Sequence, residues 1–81
     1  MTKEKDLIAL GAKLTRLGMT VESRRNKLRQ LVEKGVPYES PQMLQALQEF
    51  QQADAEWKQT EAAYLDLRKE LAYNLAASDV L

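Results

Sequence analysis

With 81 residues the chain makes one small domain with a thin core, so regular helix packing or association must supply what a larger interior would. Cysteine and histidine are both absent, which excludes disulfides, the usual zinc sites, thiol catalysis and histidine acid–base chemistry. Twelve basic residues cancel twelve acidic ones, whereas a nucleic-acid or anionic-membrane binder ordinarily carries a basic excess, so neither is expected as a partner.

The cancellation is uneven along the chain. Residues 1–40 hold nine Lys/Arg against five Asp/Glu, and residues 41–81 hold three against seven, a balance of +4 facing −4. The two halves are therefore suited to each other. The opening MTKEKD carries both signs of charge and no apolar h-region, so no signal peptide is expected, and no apolar run is long enough to span a bilayer. Together with the missing cysteines this makes a cytoplasmic location the expectation.

The first element is read from Leu7, Leu10, Leu14, Leu17, Val21, Arg24, Leu28 and Leu31. Their spacing alternates three and four, the signature of a heptad seam, with one polar interruption at Arg24. This predicts a helix over about residues 3–34. A loop over about 35–40 follows, because Gly35, Pro37 and Pro41 crowd one short stretch. Gly35 suits the position just past a helix end, and Ser40-Pro41 suits the next helix start.

The second element is read from Met43, Ala46, Phe50, Ala53, Trp57, Thr60, Tyr64, Leu67 and Leu71, again three and four apart. The large residues Phe50, Trp57, Tyr64 and Leu71 recur every seven, with Ala46, Ala53 and Thr60 between them, so large and small alternate as interdigitating layers require. A helix over about 41–75 is predicted, with Ala76–Leu81 as a frayed tail. Two helices of similar length on a short loop lie antiparallel. The expected fold is all-α, one domain over 1–81, an antiparallel two-helix hairpin of coiled-coil type.

Folding the hairpin about its loop makes facing residue numbers sum to about 75, which sets Gly18 against Trp57 and Gly11 against Tyr64. A helical glycine costs ~1 kcal/mol relative to alanine, and room for a bulky ring in a tight seam offsets it. Trp57 is then expected to be mostly buried. The competing reading breaks the first helix at Gly18, with Thr20 as a new cap, and gives three helices.

A second stripe runs beside the seam: Ile8, Ala12, Thr15 and Met19 on the first helix, and Leu44, Leu47, Ala55, Ala62, Leu65 and Ala72 on the second. A two-helix hairpin has no interior left for it. The expectation is a protein partner, either a second copy in a four-helix-bundle homodimer or another protein's helices. The densest positive cluster, around Arg25 and Arg29, reads either as a site for an acidic partner or as a solvated face paired with Glu49, Asp54 and Glu56. The stretch SPQMLQALQEFQQ spends five of thirteen positions on glutamine. These side chains read as a neutral helix surface, or, at Gln48 and Gln51, as amides able to bind a partner or orient a water. No metal spacing and no cofactor motif is present, so neither is expected.

The segment 24–57, with Leu28-x-x-Leu31-x-x-Lys34-Gly35, a short loop, Ser40-Pro41-x-x-Leu44 and a second helix ending in an aromatic, resembles the small sporulation-regulatory aspartyl-phosphate phosphatases. These are helical hairpins of spore-forming bacteria that dephosphorylate response regulators. The resemblance implies a hairpin fold and a response regulator as partner. The family's Ser-Gln-x-Leu-Asp signature corresponds here to Leu47-Gln48-Glu49-Phe50-Gln51, so Gln48 matches, Leu47 and Gln51 replace the Ser and the Asp, and Gln51 is the residue left to orient a water. The Pro-x-x-Leu-x-x-Leu-x-x-Phe pattern is also similar to bacterial competence and biofilm regulators. The reading drawn from the sequence is a non-catalytic protein–protein interaction module or regulator, with Arg25, Arg29, Gln48, Gln51, Leu44, Leu47 and Leu65 as partner-binding residues. The alternatives are a phosphatase-like sporulation regulator, with Gln51 and Gln48 as its working residues, and a small helical secretion-type chaperone.

Overall fold

The chain folds into two α-helices, α1 (Lys3–Glu33) and α2 (Pro41–Val80). The computed structural model describes residues 2–80, the side chains of 77–80 excepted. α1 is capped by Thr2, whose backbone is extended and whose Oγ1 accepts from the Lys5 N–H at 3.3 Å. Glu4 and Asp6 in the first turn complement the positive pole there.

The end of α1 is a Schellman motif. The Val36 N–H donates to the Leu31 carbonyl and the Gly35 N–H to the Val32 carbonyl, both at 3.0 Å. The motif needs a left-handed residue after the cap, and Gly35 supplies it at φ 76. Val36 then packs against Leu31, the apolar contact that accompanies this turn. Ser40 starts α2 as its type predicts. Its hydroxyl oxygen accepts from the Met43 N–H at 3.2 Å and donates to the Pro37 carbonyl at 2.8 Å, which ties the loop to the helix it launches. α2 continues to Val80, past the expected end near residue 75. Neither glycine nor proline follows Pro41, and Ala76 and Ala77 favour helix. Leu81, the last residue of the expected frayed tail, lies outside the described residues.

The helices lie side by side and antiparallel, since Lys3 pairs with Glu70 and Lys27 with Glu49. The result is a rod of 63 × 17 × 17 Å. Its radius of gyration is 18.4 Å, where a compact chain of this length would have about 12 Å. Every residue of the two predicted seams is buried or half-buried. Packing is closest at the loop end, where Leu31, Met43 and Ala46 form a buried cluster backed by Leu28 and Val36. Val21 and Thr60 are the other buried residues, and the Thr60 hydroxyl is satisfied by the Glu56 carbonyl of its own helix at 2.9 Å.

α1 does not break at Gly18. The register is the one in which facing numbers sum to 75. A Cβ added to Gly18 would stand 3.4 Å from Trp57 Nε1, and one added to Gly11 would stand 3.4 Å from Tyr64 Cε1. The rings thus lie over the glycine backbone, with space for one methyl group and no more. Trp57 is mostly buried, as expected, but not fully enclosed. Two helices can cover an indole on its seam-facing side only, and nothing in a lone hairpin closes over the other.

Candidate partner-binding face

On each helix, residues seven apart form rows parallel to the rod. Next to the seam on one flank of α1 runs the row Glu4, Gly11, Gly18, Arg25, Val32. On α2 the corresponding row is Leu47, Asp54, Glu61, Arg68, Leu75. The structure places these two rows on the same broad side. Gly18 and Arg25 share a surface depression with Asp54 and Trp57, and Glu4 shares one with Arg68 and Leu75. One row further out lie Ile8, Thr15, Glu22 and Arg29 on α1, and Leu44, Gln51, Lys58, Leu65 and Ala72 on α2. Met19, Ala12, Gln48, Ala55 and Ala62 stand at the outer edges.

The opposite broad side is built from Lys13, Thr20, Lys27 and Lys34 against Glu49, Glu56 and Glu70, with Gln45, Gln52, Gln59 and Asp66 outside them. Thr20, Arg24, Glu49, Gln52 and Glu56 line one polar depression on that side, and Lys27 Nζ reaches Glu49 Oε1 at 3.3 Å. Lys3 is bonded to Glu70. Two ion pairs thus join the basic half to the acidic half across the seam on this side.

Among the described residues nine large apolar side chains are exposed; six of them, Ile8, Val32, Leu44, Leu47, Leu65 and Leu75, belong to the first side, and Met19 stands at its outer edge. Tyr38 is in the loop, and Tyr73 alone lies on the polar side. The exposure is substantial: Ile8 72%, Met19 70%, Leu44 55%. Exposed apolar patches gathered on one side of a small chain mark a surface suited to a partner.

Of the candidate site residues, Leu44, Leu47, Gln51, Arg25 and Arg29 come together on the apolar side near the loop, with Gln48 at its edge. All six are exposed, and Leu65 lies on the same side toward the chain ends. Gln48 and Gln51 do project from one exposed surface, whereas Gln42, Gln45, Gln52 and Gln59 go to the polar side. The Arg25 guanidinium sits 5.8 Å from the centre of the Phe50 ring and bonds Glu22 Oε1 at 2.5 Å. Phe50 is thereby capped at the seam edge and Arg25 is held in place. Val32 and Leu75 were not singled out from the sequence. Their seven-residue spacing to Arg25 and to Leu47 through Arg68 was the available signal, hidden because polar residues separate them along each row.

No protein-family model, curated protein or solved structure matches the chain. Among the described residues, no helix is long and apolar enough to cross a membrane.

Proposed function

We propose that the chain is a non-catalytic, cytoplasmic helical-hairpin module whose work is to bind protein helices through its apolar broad side. The single observation that carries this reading is the gathering of exposed large apolar residues, six of the nine among the described residues, on one side of the rod. Leaving these side chains in water forgoes roughly 1.5–3 kcal/mol for each that a partner could enclose. Photo-crosslinking residues placed one at a time at Leu47, Leu65, Gln45 and Gln59 test it in cells. Crosslinks to protein from the first two positions, with the captured species identified by mass, and none from the last two, are expected. Equal capture from all four positions, or none from Leu47 and Leu65, overturns the reading.

A second reading, a bacterial response-regulator phosphatase-like regulator, is supported by one feature: Gln48 and Gln51 are exposed at the same end of the rod as the exposed Arg25 and Arg29, whose two cations could attract a phosphorylated acidic pocket. Its test is phosphate loss from a phosphorylated regulator. Acceleration that vanishes in Gln48→Ala/Gln51→Ala favours it, and no acceleration removes it.

A further inference from the structure

We propose that the apolar side is covered by a second copy of this chain, two hairpins packing face to face as a four-helix bundle with their polar sides outward. The inference rests on the reading of that side as a protein-binding surface and names its partner.

A two-fold dimer requires a surface that complements itself. Along α2 the row Leu44, Gln51, Lys58, Leu65, Ala72 has polar residues between its two leucines. The large apolar residues of the side as a whole fall in the same two places, with Arg29 beside the first and Glu4 and Arg68 beside the second. Val32, Leu44 and Leu47 form an apolar patch near the loop, Ile8 and Leu65 form one toward the chain ends, and a charged waist of Glu22, Arg25, Asp54 and Lys58 lies between. Leu44 and Leu65 stand roughly 32 Å apart at ~1.5 Å per residue. A second copy laid antiparallel about the point midway between them sets Leu44 of each hairpin against Leu65 of the other.

The waist is the part of the pattern that could forbid the pairing, and most of its charge is neutralised within each chain. Arg25 bonds Glu22 at 2.5 Å and Lys58 bonds Asp54 at 2.9 Å, each pair closed inside one helix. Two negative and two positive charges cancel there, which leaves Glu61 as the further charge between the patches. A helix partner of strong net charge would find nothing there to match it.

The area is adequate. A side of 63 × 17 Å offers roughly 1,000 Å² per copy, or ~2,000 Å² in total, where specific interfaces bury about 1,200–2,000 Å². The chain exposes 6369 Å² at 9.3 kDa, whereas a compact monomer of that mass exposes about 5,000 Å². The excess is of the size that one covered side would remove. Trp57 beside Gly18 lies on this side, and a second hairpin closes over the part of its ring that the seam leaves exposed.

Sedimentation equilibrium of the full chain, from low to high micromolar, is the test. Twice the 9.3 kDa chain mass is expected. Leu44→Gln/Leu65→Gln should weaken the dimer by at least ~100-fold, given what four buried leucines contribute. Its helix content should be retained, since glutamine forms helix well. Gln45→Glu/Gln59→Glu on the polar side should leave the mass doubled. Should the leucine variant lose its helix, single spin labels on the cysteine-free chain decide: an intermolecular distance shorter from Gln51→Cys than from Gln52→Cys supports the arrangement, and the reverse order overturns it. A mass of one chain at every concentration also overturns it. With crosslinks from Leu47 to a different protein, that result leaves the protein-binding reading standing and removes the second copy. Without any crosslinks, both fall.

Discussion

The two broad sides of the hairpin are built by the same two helices and both carry ion pairs, but the pairs run in different directions. On the polar side they cross the seam: Lys27 to Glu49, and Lys3 to Glu70. On the apolar side they stay within a helix: Arg25 to Glu22, and Lys58 to Asp54. The first kind helps to choose the antiparallel partner and the register inside the chain. The second kind silences charge on a surface that leaves the large apolar residues uncovered. A chain with no net charge thus uses its charges for pairing on one side and for neutrality on the other.

Four experiments break or sharpen that contrast, beginning with the seam on which both sides depend. Met43→Ala should cost about 2–4 kcal/mol, since Met43 is 3% exposed in the tightest part of the packing. Denaturant unfolding of dilute protein measures it, and a similar loss from Leu44→Ala under the same conditions would erase the difference between seam and face. Trp57→Ala should cost about 2 kcal/mol in dilute protein, below the ~3–5 kcal/mol of a fully enclosed aromatic, because part of the ring stays exposed. The loss should grow with protein concentration if the apolar side is covered.

Gly18→Ala should stabilise the hairpin by up to ~1 kcal/mol. The new methyl would meet Trp57 Nε1 at 3.4 Å, the near edge of ordinary contact, whereas Gly18→Val exceeds the space and should destabilise it. Thermal melts of the two variants should move in opposite directions. The smallest effect belongs to the polar side. A double-mutant cycle on Lys27 and Glu49 should give under ~1 kcal/mol, shrinking with added salt, because both side chains are solvated. A salt-insensitive coupling would mean that this side, too, is covered.

Much of this architecture was legible before any coordinates. Heptad spacing placed each seam residue, Gly35 and Ser40-Pro41 marked the turn, and the equal spacing of two glycines and two rings gave the register. These features are local or periodic, and a backbone with a fixed helical repeat converts them directly into positions. The site was legible only as a composition. The sequence named Leu44, Leu47, Leu65, Ile8 and Met19 as a second stripe, but not the flank on which each helix would present it.

Antiparallel packing decided that flank. It brings the row containing Gly18 and Arg25 beside the row containing Leu47 and Asp54, so two half-apolar helices combine into one apolar side and one polar side. It also decided how deeply Trp57 is covered. The sequence by itself determined the helices, the turn and the register, because those follow from residue type and repeat. Only the tertiary structure decided which side is left to be covered, because a face shared by two helices exists only once they are set against each other.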